Sequence, residues 1–233
     1  MKALLNYAEG KFKLSQLKLN VSGLQYGFDT IFKMGKNNIS KEFYEKNEKI
    51  LSCSRGAGYW LWKPYFIGKC LSNMTPDDIL FYMDSGMVIL KDVSPLMDRI
   101  IQDERGIACF NLAGNHLEKH YNKKLLLNYM NMNEEKYIET PQISASNILV
   151  RGTDYAKELI QEYVDLCSTY ELINDDLENE IEGFIDHRHD QSVWSLLSKR
   201  ENILMLPDIS QWGVSHGENE PSDQYVLHHR NSQ

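Results

Sequence analysis

Short apolar segments alternate with longer amphipathic ones along most of the chain, and this alternation limits the fold more than any other feature of the sequence. Helical spacing is clearest over 154–170 and weaker over 40–52, 95–104, 123–132 and 191–200. Strand-length apolar runs with turn-forming flanks lie at 3–8, 27–32, 79–83, 107–112, 146–150 and 202–206. Because strands that alternate with helices build a sheet covered by those helices, the sequence predicts an α/β class with a mainly parallel central sheet.

Length and composition describe an ordinary globular chain. It has 233 residues, of which 42% are hydrophobic and 25% are charged, so we expect a single domain over 1–233. The polar segment from about 210 onward predicts an irregular C-terminal part. The formal net charge of −8 gives no basic surface for nucleic acid, so no nucleic-acid partner is expected.

The sequence contains no segment typical of export or membrane insertion. No apolar run approaches the roughly 18 residues of a membrane span, so no transmembrane segment is predicted. The apolar stretch at the start is too short for a signal peptide. The cysteines are scattered without a C-x-x-C pair, which is typical of reduced thiols. These features predict a cytoplasmic protein.

The segment ILFYMDSG has a carboxylate directly after an apolar strand. Burying an unpaired carboxylate is costly, so Asp84 is expected to serve a ligand or a metal rather than the core. Ligands of open α/β sheets bind outside the carboxyl ends of the strands, where Asp84, Ser85 and Gly86 would lie. Gly86 leaves room for a ligand to approach the backbone, and Ser85 adds a hydroxyl. An ordinary turn after a strand explains this segment equally well when it is considered alone.

The segment SRGAGYWLWKP concentrates two cations and several aromatic rings in a few residues. Arg55 and Lys63 could neutralise a diphosphate, and Tyr59 and Trp60 offer faces for a base or a sugar. For each residue alone, core packing or a solvated charge is the better explanation. The cluster as a whole favours a binding site.

Polar residues precede the last predicted helix in the segment HRHDQSVWSLL. Asp190 could cap this helix or reach a reacting centre, and the two roles have comparable support because one residue can fill both. His187 is a second candidate for chemistry. Gln142 lies in a Pro-led segment that enters a strand, and His228 lies near the chain end.

Four sequence blocks occur in a fixed order: RGAGYWLWKP, ILFYMDSG, PQISASNILVR and HRHDQSVWSLL. Together they resemble the GT-A glycosyltransferases, in particular a bacterial and viral group with R-G-x-G-Y-W-x-W-K-P followed by Y-x-D-A/S-G. The resemblance extends over roughly residues 3 to 212. It implies a single Rossmann-like domain that moves a sugar from a nucleotide-diphosphate sugar to a hydroxyl of a glycan or another acceptor. A UDP-sugar is the expected donor.

The resemblance also implies a metal site. Asp84 matches the D-x-D type motif through which, in this family, a divalent metal bridges the protein and the diphosphate. Gly86 stands where the usual motif has its second aspartate, so the metal would be held differently here, weakly, or not at all. His228 or His229, near the end of the sequence, is the expected further metal ligand, since several related transferases use a C-terminal histidine. A carboxylate and an imidazole together suit Mn²⁺, with Mg²⁺ as the alternative.

The remaining roles follow from the same resemblance. Arg55 and Lys63 are expected to neutralise the diphosphate together with the metal. Gln142 is expected to line the sugar or acceptor pocket. Asp190 is the candidate base or sugar-orienting carboxylate.

Two alternatives remain open on the sequence. The missing second aspartate favours a GT-A-like domain that binds a nucleotide sugar without turnover. His187, His189 and Asp190 superficially resemble a metal-binding His-x-His pair, which would suit a metal-dependent hydrolase. If Asp190 only caps its helix, Asp92 and Asp186 are the next candidates for the catalytic carboxylate.

Overall fold

A six-stranded sheet forms the centre of the molecule in a computed structural model that describes residues 1–229. The strands of the described residues are β1 (Lys2–Tyr7), β2 (Thr30–Met34), β3 (Ile79–Met83), β4 (Met87–Ile89), β5 (Ile107–Asn111), β6 (Ile143–Arg151), β7 (Leu204–Leu206) and β8 (Val226–His228). The order in the large sheet is β2-β1-β3-β6-β5-β7, and β4 pairs with β8 in a small second sheet. Within the large sheet β6 is antiparallel to both of its neighbours, and the other pairs are parallel. The predicted α/β class with a mainly parallel sheet is confirmed.

Helices connect most of these strands. The helices of the described residues are α1 (Lys13–Gln25), α2 (Lys41–Lys46), α3 (Glu48–Leu51), α4 (Gly56–Tyr59), α5 (Trp62–Leu71), α6 (Ser94–Ile101), α7 (Glu118–Tyr121), α8 (Lys124–Tyr129), α9 (Glu135–Ile138), α10 (Asp154–Cys167), α11 (Tyr170–Ile173), α12 (His189–Arg200) and α13 (Gln211–Ser215). No helix within residues 1–229 is both long enough and apolar enough to cross a membrane.

The helices cover both faces of the large sheet, which explains why its central strands are apolar along their whole length. All of β3 is buried. Leu80 and Tyr82 pack with α5, α10 and α12 on one face. Phe81 packs with α1 and α6 on the other face. A buried strand of this kind ends where a polar residue can meet solvent or a ligand, and here it ends at Asp84.

Local sequence signals determine where the clearest helix, α10, begins. Thr153 caps α10, since its hydroxyl accepts a hydrogen bond from the Ala156 N–H at 3.2 Å. The helix predicted over 154–170 is therefore confirmed, although α10 ends at Cys167. The segment predicted as one helix over 40–52 is divided at Asn47 into α2 and α3.

Two further predicted segments differ from the structure. The strand predicted over 27–32 is shifted to β2, because Gly27 has a φ of +108°, which does not belong to a strand. The segment predicted to be irregular from about 210 contains α13, a 3₁₀ turn at Pro221–Asp223 and β8. Because β8 pairs with β4, the C-terminal segment returns to the turn that follows β3, with His228 opposite Met87.

Candidate functional site

A cavity of about 1110 Å³ lies at the edge of the sheet where β1 and β3 end. The loop after β1 contributes Tyr7 to Phe12, and the turn after β3 contributes Asp84, Ser85 and Gly86. The first residues of β6 reach the same edge because this strand runs in the opposite direction. The start of α12 closes another side. The cavity is large enough for a ligand of nucleotide-sugar size.

Two carboxylates and an ammonium group meet inside this cavity. The Lys63 Nζ atom lies 2.6 Å from Asp190 Oδ2 and 3.8 Å from Asp84 Oδ1. Lys63 and Asp190 are both 3% exposed, whereas the Asp84 side chain is 39% exposed. The Tyr82 hydroxyl donates to Asp84 Oδ1 at 2.5 Å. The carboxylate that ends β3 is thus connected to Asp190 through a buried lysine.

Burial and mutual charge control the protonation of Asp190 and Lys63. Burial raises the pKa of Asp190 to about 6, although the adjacent Lys63 ammonium acts in the opposite direction. Burial lowers the pKa of Lys63, but Asp190 and Asp84 outweigh it, and the pKa of this lysine is raised. Lys63 therefore stays charged, and Asp190 titrates near the range in which a carboxylate can exchange protons at neutral pH.

Asp190 does not cap α12, so the capping interpretation is wrong. The N-cap position belongs to Arg188, without a side-chain cap hydrogen bond, and Asp190 is the second residue of the helix. The Asp190 side chain instead contacts Lys63 and accepts a hydrogen bond from the Tyr163 hydroxyl at 3.2 Å. Both contacts are made to Oδ2 rather than to Oδ1.

The glycines of RGAGYW allow a left-handed turn of the backbone. Five consecutive residues, Gly56 to Trp60, have positive φ values, including +52° at Ala57 and +101° at Gly58. Left-handed residues other than glycine are costly and persist where the surrounding structure holds them, often at functional sites. An added Cβ at Gly56 would lie 2.2 Å from the Trp60 ring, and one at Gly58 would lie 2.8 Å from the Leu51 Cα atom. The turn therefore requires both glycines.

This turn brings aromatic rings to the cavity wall. Tyr59 and Trp60 both stack on the His189 ring, with centroid distances of 4.9 Å and 5.4 Å. Trp60 lines the cavity, whereas Tyr59 is buried beneath it. Trp62 stacks on Tyr7 at 3.9 Å and joins the turn to the end of β1.

The two histidines of HRHD are held by the backbone. His187 Nε2 lies 3.0 Å from the Leu172 carbonyl, and His187 Nδ1 accepts a hydrogen bond from the Lys123 N–H at 3.4 Å. Burial and the neighbouring His189 hold the pKa of His187 well below its usual value. Neither ring nitrogen of His187 is left to transfer a proton in this arrangement, so its catalytic role stays a prediction without geometric support.

The same contacts bear on the hydrolase alternative. His189 Nδ1 lies 2.7 Å from the Ile173 carbonyl, so each histidine of the pair directs a ring nitrogen at a backbone oxygen. Among residues 1–229 no three His, Cys, Asp or Glu side chains are grouped so that they could hold a metal ion by themselves. This geometry does not favour a site built on His187, His189 and Asp190.

The predicted phosphate-binding cations are already paired with protein carboxylates. Arg55 contacts Asp175 at 2.8 Å and Asp186 at 2.6 Å. Lys63 is paired as described above. A diphosphate would therefore have to compete with acidic side chains for Arg55.

Arg188 is a cation of the cavity that the sequence reasoning did not single out. Its guanidinium carbon lies 3.6 Å from the centre of the Tyr121 ring, and it contacts His116 Nδ1 at 3.3 Å. No carboxylate of the described residues pairs with it within 4 Å. In the sequence, the position of Arg188 between the two histidines of HRHD was the feature that could have indicated a cavity residue.

Gln142 supports the cavity from behind and does not line it. This residue is 1% exposed, and its Oε1 atom accepts hydrogen bonds from Gln191 at 3.1 Å and Arg188 at 3.4 Å. Both donors line the cavity. Gln142 therefore orients cavity residues, and its predicted direct contact with a sugar or acceptor stays a prediction.

Asn147 offers an unsatisfied acceptor that the sequence reasoning missed. It lies on β6, lines the cavity and is 3% exposed. Its Oδ1 atom is buried without a hydrogen-bond partner among the described residues. Buried polar atoms are normally paired, so this oxygen is suited to a ligand hydroxyl.

The other candidate carboxylates differ in position. Asp186 lines the cavity but pairs with Arg55. Asp92 accepts a hydrogen bond from the Ser94 N–H at 2.9 Å, which holds its pKa below the usual value. Asp92 thus stabilises the start of α6 and does not line the cavity.

The residues around Asp84 fit a divalent cation in part. The pairing of β8 with β4 brings His228 to the cavity, and the His229 N–H donates to the Gly86 carbonyl at 3.0 Å. Asp84 and His228 supply one carboxylate and one imidazole, a donor set that suits Mn²⁺ but is too small to hold it alone. An added Cβ at Gly86 would meet no atom within 4 Å, so packing does not require the glycine there.

The fold is similar to that of solved glycosyltransferases. A WbbM bifunctional glycosyltransferase matches with a TM-score of 0.59 and 10% identity, over 98% of this chain and 45% of the other. Mouse xyloside xylosyltransferase 1 matches with a TM-score of 0.53 and 9% identity, over 98% of this chain and 97% of the other. A glycosyltransferase involved in the glycosylation of the major capsid of PBCV-1 matches with a TM-score of 0.52 and 10% identity, over 99% of this chain and 94% of the other.

No protein-family model and no curated protein sequence matches the chain. The chain spans less than half the length of the first of these three structures and nearly all of the other two. At such identities the similarity shows the fold alone. The chain has a GT-A-type fold, as the sequence resemblance implies.

Proposed function

We propose that the protein is a glycosyltransferase that moves a sugar from a nucleotide-diphosphate sugar, with a UDP-sugar as the expected donor, to a hydroxyl of a glycan or another acceptor. One observation carries the proposal. On a GT-A-type fold, the carboxylate that ends β3 and a second, buried carboxylate meet at Lys63 inside the cavity.

The turn after β3 is the proposed site of the donor diphosphate. Asp84 is half-exposed there, and Ser85 and Gly86 leave the backbone open. Arg188 and Lys11 line the same cavity and could offset phosphate charge. Trp60 offers an aromatic face to a base or a sugar.

We also propose that a divalent cation binds together with the donor diphosphate. Asp84 and His228 would hold Mn²⁺ or Mg²⁺ together with oxygens of the donor diphosphate. When bound, the cation would offset the negative charge that develops on the leaving diphosphate.

Asp190 is the proposed catalytic carboxylate. In transfer, the bond between the anomeric carbon and the diphosphate oxygen breaks, and the acceptor oxygen forms the new bond and loses its proton. Asp190 either accepts that proton or stabilises positive charge at the anomeric carbon. Lys63 and Tyr163 hold the Oδ2 atom of Asp190 and so fix the direction of Oδ1. Asn147 would accept a hydrogen bond from a sugar hydroxyl.

A binding domain without turnover is the second candidate. Gly86 in place of a second aspartate is the observation that favours it. Such a domain would bind the nucleotide sugar through the same cavity and would leave the donor intact.

A thermal-shift screen of nucleotide sugars, with and without Mn²⁺, tests the binding step. A ligand that binds only the folded chain raises its melting temperature, and we expect one nucleotide sugar to do so more strongly with Mn²⁺. If no nucleotide sugar shifts the melting temperature under either condition, both candidate functions fail. We expect Asp84→Asn to weaken donor binding.

The Asp190→Asn variant then separates transfer from binding. Asparagine keeps an oxygen for Lys63 but cannot accept a proton, so we expect turnover to fall about 10²-fold or more while donor affinity changes little. Donor hydrolysis and transfer are measured well below the melting temperature of the variant. Asp92→Asn is the matched control, since Asp92 does not line the cavity, and its turnover should be unchanged. Donor binding without any turnover in the unmodified protein would favour the binding domain.

A further inference from the structure

Helix α1 packs on the sheet mostly through polar and small residues, and Leu19 is its one buried large apolar side chain. Its buried residues are Ser15, Gln16, Leu19, Ser22 and Gly23. The Gln16 side-chain amide donates to the Met34 carbonyl at 2.9 Å, and the Ser22 hydroxyl accepts from the Ile89 N–H at 3.0 Å. Hydrogen bonds to neighbouring strands therefore supply part of the inner contact, beside the packing of Leu19.

The outer face of the same helix is apolar. Leu14, Leu17, Val21 and Leu24 are 49%, 56%, 58% and 62% exposed. Their spacing of three, four and three residues aligns them in one stripe about 15 Å long. Phe12, just before the helix, is 46% exposed and extends the stripe. An apolar surface of this extent on a helix is typical of a contact surface.

The charge around the stripe is positive, although the whole chain is acidic. Lys11, Lys13 and Lys18 are exposed among the apolar residues. The sequence has no Asp or Glu between Gly10 and Phe28, whereas the formal charge of the chain is −8. Exposed apolar side chains accompanied by lysines and no acidic residue favour contact with anionic lipid surfaces.

The stripe begins at the mouth of the cavity. Gly10, Lys11 and Phe12 line the cavity, and Lys13 starts the helix. A surface that bound α1 would therefore lie directly beside the cavity opening.

We propose that the outer face of α1, from Lys11 to Leu24, binds the surface of a bilayer that contains anionic lipids. The leucines enter the boundary between headgroups and acyl chains, and the lysines contact the lipid phosphates. The cavity then opens next to the headgroups. This binding does not require the glycosyl transfer proposed above, although Lys11 would serve both because it also lines the cavity.

A second copy of the chain fits this face less well. A symmetric pair of α1 helices would bring the lysines of both copies together, and α1 itself has no acidic residue to offset them. An anionic surface matches both the apolar stripe and the charge.

Co-sedimentation with vesicles tests the proposal. We expect the protein to sediment with vesicles of phosphatidylcholine and phosphatidylglycerol, to bind vesicles of phosphatidylcholine alone at least about tenfold more weakly, and to be released as salt rises. Leu17→Ser combined with Leu24→Ser should weaken binding about tenfold or more. Lys11→Gln, Lys13→Gln and Lys18→Gln together should remove the preference for anionic vesicles.

The matched control changes two apolar side chains in an acidic setting. Leu177 and Ile185 are 50% and 63% exposed and lie in a segment that carries acidic residues but no lysine or arginine. Leu177→Ser combined with Ile185→Ser should sediment like the unmodified protein, and circular dichroism checks that every variant folds. Absence of binding to anionic vesicles, or equal binding by the leucine variant, overturns the proposal. A change from dimer to monomer in the leucine variant, without vesicle binding by the unmodified protein, would assign the stripe to a second copy instead.

Discussion

Lys63 shows how strongly a single buried charge constrains this site. An isolated ammonium group would not remain charged in the interior, so its burial depends on Asp190 at 2.6 Å and, more weakly, on Asp84 at 3.8 Å. In return the ammonium holds the two carboxylates in one place. Lys63 is thus a positioning residue in this structure, whereas the sequence predicted a direct contact with phosphate.

Lys63→Met should destabilise the fold by about 3 to 5 kcal/mol, because it leaves Asp190 buried without its partner. Urea unfolding of the unmodified protein, both single variants and the double variant Lys63→Met with Asp190→Asn measures the coupling. The double variant removes both charges, so its loss should be smaller than the sum of the single losses by at least about 1 kcal/mol. Additive losses would contradict the buried pair.

The pH dependence of transfer should report the ionisation of Asp190. Burial raises the pKa of this carboxyl to about 6, and only the ionised form can accept a proton. The value of kcat/KM should therefore rise between about pH 5 and pH 7. Since the Tyr163 hydroxyl stabilises the carboxylate, Tyr163→Phe should move this rise to higher pH.

Tyr155→Phe is the control for this profile. Tyr155 lies on α10 like Tyr163, but its hydroxyl donates to Glu201, which does not line the cavity. Its pH profile should coincide with that of the unmodified protein. A profile that does not move in Tyr163→Phe would argue that another group controls the rise.

At the scale of elements, the left-handed turn from Gly56 to Trp60 connects the core to the cavity. It aims Trp60 at the cavity and buries Tyr59 on His189. The following helix, α5, then carries Lys63 in its first turn. A change in the backbone of this turn should therefore affect both packing and the site.

Gly58→Ala should destabilise the protein by more than about 2 kcal/mol, because the new Cβ would meet the Leu51 backbone at 2.8 Å in a residue with a φ of +101°. Gly68→Ala is the control. Gly68 lies within α5, where a Cβ would make ordinary contacts at 3.6 Å with Ile160, so alanine should be neutral or stabilising by up to about 1 kcal/mol. The melting temperatures of the two variants test this prediction. Equal shifts would contradict the requirement for glycine in the turn.

At the scale of the whole molecule, the C-terminal segment completes the cavity that the N-terminal half begins. β8 pairs with β4 directly after the Asp84 turn, and Val226 is fully buried in this pairing. The loop after β1, the turn after β3 and the end of the described chain therefore meet at one cavity.

His228→Ala should remove the Mn²⁺-dependent part of the stabilisation by a nucleotide sugar and leave the fold intact. At a ligand concentration of 100 times Kd, full binding contributes about 2.7 kcal/mol, which a thermal shift resolves. Leu227→Ala is the control, because Leu227 is the neighbouring exposed residue of β8 and does not line the cavity. An unchanged response to Mn²⁺ in His228→Ala would remove this residue from the metal site.

Much of the fold could be predicted from the sequence, because the signals involved are local. The apolar run before Asp84 predicts β3, and the spacing after Thr153 predicts α10, since periodicity and capping depend on neighbouring residues. The resemblance of four sequence blocks likewise indicated the GT-A-type fold. The position of Asp84 at the edge of the sheet also followed, because strand ends meet there.

The tertiary structure alone decided which polar groups meet. Lys63 and Asp190 are far apart in the sequence, and whether Lys63 contacts phosphate or a buried carboxylate depends on which residues α5 and α12 bring together. Local periodicity likewise cannot show that α1 buries its serines and exposes most of its leucines, nor that β8 returns to β4. The sequence by itself determined most strands of the large sheet and the clearest helix, α10, because short-range sterics and spacing govern them. Pairing, burial and the pKa of Asp190 arise from contacts across space, and only the packed chain establishes these.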